Sequence, residues 1–165
     1  MFLHLYLHHR IPKNMSIETD IKQTKFRNAH HRMVLNLIYT TGWLSNSQAG
    51  VLKPFDLTSP QYNVLRILRG QYPKPVQVND IIERMMDKMS NASRLVDKLL
   101  AKSLVIRTEC PHDRRAVDVV ITEKGLSLLA ELDTMQDSWE NQLRNLNQQE
   151  ANQLSDLLDK LRGSL

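Results

Sequence analysis

One cysteine, five glycines and six prolines are all the cross-linking and chain-breaking residues in this chain of 165. Cys110 alone closes no intrachain disulfide, which excludes a disulfide-stapled secreted scaffold and leaves a reducing, cytoplasmic setting as the expectation. With so few breakers the chain should be mostly helical. Long apolar runs are missing as well. Nothing approaches the roughly 18 consecutive apolar residues of a membrane-spanning helix, so no membrane partner is expected. The opening Phe2-Leu3-His4-Leu5-Tyr6-Leu7 is short, interrupted by His4, and lacks a basic lead and a small-residue cleavage site, so it makes a poor signal peptide. Residues 1–15 read as a disordered tail, and Met15 offers a second start just before the first helical pattern.

Hydrophobic residues make up 41% and charged residues 24%, as in a soluble globular protein, and the length suits one compact unit. No Cys or carboxylate cluster completes a ligand set around His4, His8, His9 or the His30-His31 pair, so no metal and no cofactor is expected. The net charge of +4 is too small to name a partner, but it is unevenly spread. Residues 1–83 carry ten basic and five acidic side chains, residues 84–115 eight and four, and residues 116–165 four and nine. The middle stretch has the density of a phosphate-facing surface, with a solvated helix face as the alternative.

Along the chain, 16–57 reads as an N-terminal helical region: one long helix, or two in near-continuity around Gly42, with Met33, Val34, Leu37, Ile38 and Leu44 at helical spacing. Thr58-Ser59-Pro60-Gln61 has the form of a capping box opening a helix that buries Val64, Leu65 and Leu68. Val78, Ile81, Ile82 and Met85 form the stripe of a short helix. After Asp87-Lys88-Met89, Ser90 is expected to cap a second, with Ala92, Leu95, Val96, Leu99 and Leu100 inward. The period then shortens to two through Val105 and Ile106 and again through Val117, Val119 and Ile121, which predicts a β-hairpin with a loop over Cys110–Arg115. Thr122 caps a long helix running through Leu126, Leu129, Leu132, Met135, Trp139, Leu143 and Leu146, and Asn147 to Glu150 opens a last one with Leu154, Leu157, Leu158 and Leu161. The fold class is mainly α with a small β-hairpin wing. A helix-turn-helix and wing over 58–121 stand between helices at 16–57 and 122–165 that have more apolar surface than one protomer covers, which predicts a homodimer.

Each part of that middle region suits a different contact with double-stranded DNA. The major groove admits a helix and shows a distinct donor and acceptor pattern for each base pair. Ser90, Asn91, Ser93, Arg94, Asp97 and Lys98 lie off the apolar stripe, with Asn91 and Arg94 as the base readers and Lys88, Ser90, Ser93 and Lys98 suited to phosphate. At the hairpin tip Arg114 or Arg115 would enter the minor groove, with Asp113 orienting one guanidinium. An ordinary solvated turn remains the alternative.

The run Asp113-Arg114-Arg115-Ala116-Val117-Asp118-Val119-Val120-Ile121-Thr122-Glu123-Lys124-Gly125 resembles the wing and following helix start of the MarR family of bacterial winged-helix regulators, and Ser90 to Val105 resembles that family's recognition helix. Met86 and Ser103 stand where the family often has glycine. The resemblance implies a homodimeric regulator, commonly a repressor, that binds a pseudo-palindromic operator. It also implies release by a small aromatic or phenolic effector or by oxidation. By position Trp43, Tyr62 and Arg66 are the candidates for an effector pocket, and Cys110, beside Arg107, His112 and Arg114, for a redox switch; packing residues and a bystander thiol are the plainer readings. A winged helix that binds protein is the main alternative. Cys110, His112 and Asp113 contain the types of a nucleophile, base and orienter but crowd one loop with no oxyanion donors, so an enzyme is not expected.

Overall fold

The computed structural model describes residues 16–110, 113–141 and 143–163, with 109–110, 113–116 and 136–138 described by backbone alone. The tail expected over 1–15, His112, and the side chains of Cys110, Asp113, Arg114 and Arg115 lie outside the described residues. Where length suggested one compact unit, the contacts divide the chain into two, residues 1–47 and 48–165.

In the first unit, α1 (Ile17–Asp20) is a single turn and α2 (Ala29–Leu52) starts well after it; the last turn of α2 belongs to the second unit. The helix expected from Ser16 onward is therefore interrupted. Lys22 takes a left-handed φ of 52°, and the helix restarts where Asn28 Oδ1 accepts the His31 N–H at 2.9 Å. Gly42 lies inside an unbroken α2, which bears out the single-helix alternative there: one exposed glycine weakens a helix by about 1 kcal/mol without ending it.

The second unit opens its first full helix, α3 (Ser59–Arg69), with the expected capping box. Thr58 Oγ1 accepts the Gln61 N–H at 3.4 Å, and Gln61 Oε1 accepts the Thr58 N–H at 3.0 Å. Val64, Leu65 and Leu68 are buried as expected, together with Gln61 and Ile67. A two-residue strand, β1 (Val76–Gln77), runs straight into α4 (Val78–Arg84), and α5 (Ala92–Ala101) follows a turn. The hairpin strands are β2 (Val105–Cys110) and β3 (Asp113–Ile121), and the antiparallel sheet has the order β1-β3-β2, with Val119 opposite both Val76 and Arg107.

Two sequence expectations give way here. The ladder runs on to Cys110 opposite Asp113, past an irregularity between Glu109 and Cys110, so the strands invade the stretch expected to be loop. Ladder bonds come from the backbone, so polar side chains do not stop them. Ile82 and Leu100, both expected to face inward, are 39% and 40% exposed. The short helices bury a narrower stripe: Ile81 on α4, and Ala92, Val96 and Leu99 on α5. With Leu65, Met85, Leu104, Val119, Ile121 and Leu129 these form one core.

Thr122 Oγ1 accepts the Gly125 N–H at 3.1 Å at the start of α6 (Glu123–Asn141). That helix buries Leu129 and Leu132 but ends before Leu143 and Leu146, which lie in the connection to α7 (Gln148–Leu161) rather than in α6 as expected. Asn147 takes an extended backbone, φ −71° and ψ 170°, to accept the Glu150 N–H at 3.0 Å, while Glu150 accepts back from Asn147 at 2.8 Å. Leu154, Leu157 and Leu161 on α7 stay exposed, Leu157 by 56%.

Candidate nucleic-acid interface

The turn between α4 and α5 is built from its own polar groups. Asn63 Oδ1 on α3 accepts the Met86 N–H at 2.9 Å and moors the turn to the core. Asp87 accepts the Met89 N–H at 2.9 Å and the Ser90 hydroxyl at 2.6 Å, and these bonds, that from Ser90 foremost, hold its carboxyl below the usual range. Lys88 Nζ donates to the carbonyls of Ile82, at 3.3 Å, and Glu83, closing the C-terminal end of α4. Because Asp87 engages the Ser90 hydroxyl, Ser90 is not the cap of α5 as expected. Asn91 is: its Oδ1 accepts the Arg94 N–H at 3.0 Å, which leaves Nδ2 for any second partner.

From that cap α5 shows two faces. Ala92, Val96 and Leu99 are buried, while Ser93, Arg94, Asp97 and Lys98 are exposed on the other side. Among the described residues, the guanidinium of Arg94 and the ammonium of Lys98 have no ion-pair partner. Asp97 differs: its Oδ1 accepts from Arg107 Nη1 on β2 at 2.8 Å. Spacing along one element gives no sign of such a helix-to-strand pair.

The base of the hairpin is tied down through backbone carbonyls. Ser103, at a glycine-favoured φ of 58°, has its carbonyl held by the Thr122 hydroxyl at 2.9 Å, and Leu104 O accepts the Thr122 N–H at 3.0 Å. Lys124 Nζ donates to Lys102 O at 2.9 Å, and Lys102 in turn pairs with Asp56 Oδ2 at 2.9 Å. Met86, the other departure from the family's glycines, has no left-handed backbone.

The residues expected around an effector fare differently. Tyr62 borders a small cavity, about 20 Å³, with Val51, Leu52, Leu132 and Trp139, and burial pushes its phenol up. Arg66 lies over the Tyr62 ring, 5.7 Å from its centroid, but its guanidinium is committed to Asp133 at 2.5 Å. Arg69 reaches the same carboxylate at 2.6 Å, and this hydrogen bond, with help from Arg66, holds Asp133 below the usual range. The pair of arginines thus clamps α3 to α6, a role the sequence reading missed. Trp43 is exposed on the first unit's stretch of α2 and is not among the residues that line the cavity.

A model of the MarR family matches residues 57–117, the region from the start of α3 into the wing. Among curated proteins, an uncharacterized HTH-type transcriptional regulator of Bacillus subtilis, YfiV, is 36% identical over 70 residues, 42% of this chain and 42% of that protein. The chain spans about half the length, or less, of the curated relatives it matches. The crystal structure of a MarR transcription factor from Planctomyces limnophilus is similar at 31% identity and a TM-score of 0.64, over 82% of this chain and 98% of that one. A cysteine-to-serine variant of E. coli MarR, complexed with operator DNA, shares the fold at 23% identity and a TM-score of 0.66, over 76% of this chain and 91% of that one.

Proposed function

This chain belongs to the MarR family, and from that premise we propose that it is a DNA-binding transcriptional regulator, a homodimeric repressor that grips an approximately palindromic operator. One observation carries the reading. The polar groups of the turn are engaged by one another, by α4 and by Asn63 on α3, yet among the described residues Arg94 and Lys98 have no ion-pair partner on the exposed face of α5, next to the hairpin. Free cations on an exposed helix suit an anionic partner, and Arg94 has the planar fork that pairs with guanine. Dimerisation is supported by the leucines that α7 leaves exposed. Release by a small aromatic or phenolic effector is part of the proposal; the cavity beside Tyr62, about 20 Å³, is too small to admit one without rearrangement.

The test is selection from a randomised duplex pool, followed by anisotropy titration of the enriched and a scrambled duplex at 50 to 300 mM salt. A steep linear fall of log affinity with log salt is expected. Arg94→Ala should weaken the enriched duplex more than the scrambled one, while Arg114→Ala with Arg115→Ala should lower the salt slope. Equal losses on both duplexes would remove Arg94 as a base reader. No enriched sequence and no salt dependence would remove the regulator reading altogether.

A further inference from the structure

The hairpin packs onto the core along its inner face, through buried Val105, Val119 and Ile121 and half-buried Val117. Val117 also borders a cleft of about 160 Å³ whose other walls include Val78, Asn79, Ser93 and Val96. Arg107 lines the same cleft and reaches Asp97 on α5 at 2.8 Å. Among the described residues this is the only polar link between α5 and either strand of the hairpin.

The lever is long enough to matter. From Arg107 to Cys110 the strand advances about 10 Å, so a rotation of about 10° at the base moves the tip by about 2 Å. Hydrogen bonds tolerate only a few tenths of that. Asp97 is also out of place electrostatically, since a carboxylate on the face of α5 that carries Arg94 and Lys98 repels phosphate.

We propose that Asp97 is a positioning residue: through Arg107 it sets the attitude of the wing over α5, so that helix and wing engage the duplex in one register. The proposal rests on the DNA-binding reading above. Its test exploits opposite signs. Asp97→Ala removes a negative charge beside phosphates, so charge alone would tighten the enriched and scrambled duplexes alike. Positioning instead requires the ratio of enriched to scrambled affinity to fall, by roughly tenfold. It also requires amide exchange at Val117 to Val120 to accelerate while the melting temperature hardly moves, because an exposed ion pair adds little to global stability. The swapped pair Asp97→Arg with Arg107→Asp should return slow exchange. An unchanged affinity ratio with unchanged exchange in Asp97→Ala overturns the proposal. Should the wild type select no sequence, the regulator reading fails by itself; faster exchange in Asp97→Ala would then still support the brace, and unchanged exchange would still overturn it.

Discussion

Gly125 opens the helix that follows the wing, and the structure gives a sharp reason for it. A methyl group built there would lie 2.5 Å from Leu104 O and 2.7 Å from Ile121 Cγ1. The first distance is 0.9 Å short of the 3.4 Å at which ordinary contact begins. Neither neighbour can yield cheaply: Leu104 O holds the Thr122 N–H, and Ile121 is 1% exposed. Overpacking of this kind costs about 1–3 kcal/mol, and backbone against a buried branched side chain belongs at the upper end. Alanine returns about 1 kcal/mol of helix propensity, so Gly125→Ala should lose about 2 kcal/mol. At about 2–4 °C per kcal/mol for a chain of this size, melting should fall by about 4–8 °C. Gly50→Ala is the matched control, since a methyl group there meets nothing within 4 Å, and it should melt about 1–4 °C higher. Thermal unfolding of both variants by circular dichroism decides the matter. A Gly125→Ala protein that melts at or above the wild type would refute the argument.

Three further outcomes follow from local geometry. Ser103→Gly should raise the melting temperature by about 2–4 °C, because φ of 58° costs a serine about 1 kcal/mol that glycine does not incur. Thr58→Ala should lower it by a similar amount through loss of the capping box, and Thr58→Ser should recover most of the loss. The Asp133 clamp carries a pH signature. Its carboxyl is held low in the folded chain, so its contribution is present above the ordinary carboxylate pKa of about 4 and is lost as pH falls through the lowered folded value. The stability difference between wild type and Asp133→Asn should therefore be greatest above about pH 5 and shrink below it. It should stay under about 1 kcal/mol, since the side chain is 42% exposed. A constant difference down to pH 2 would show that the arginines do not act through this charge.

What was legible in the sequence is what depends on neighbours along the chain. Both capping boxes appear where Thr58 and Gln61, and Asn147 and Glu150, announce them, because a cap is closed within four residues. The period of two around Val117, Val119 and Ile121 gives the hairpin for the same reason. The helix-turn-helix order and the hairpin after it appear as expected, with strands longer than the period of two announced. What failed depended on partners distant in sequence. Strand β1 is two residues long, too short for any period, and exists only because β3 offers Val119 opposite Val76. The Asp133 clamp joins residues 64 and 67 apart. Ser90 was passed over as a cap because Asp87 took its hydroxyl, a competition between two good local partners that spacing alone does not settle.

The same competition sorts the candidate contact residues. Lys88, Ser90 and Asn91 were all expected to meet DNA, and each has its principal polar group engaged in shaping the turn or the start of α5. A group already bonded must give up that bond before it can serve a partner, so its net gain on binding is small. Among the described residues Arg94 and Lys98 have no ion-pair partner and the exposed Ser93 hydroxyl has no bond, so they face no such loss. Alanine at Lys88 or Ser90 should therefore be felt first in stability, and at Arg94 or Lys98 first in affinity. Under the proposed function, this division would put recognition on the first two turns of α5 and leave the turn before it to hold that helix in place. A short helix can present a cationic face to an anionic partner because the residues ahead of it complete their bonds with one another.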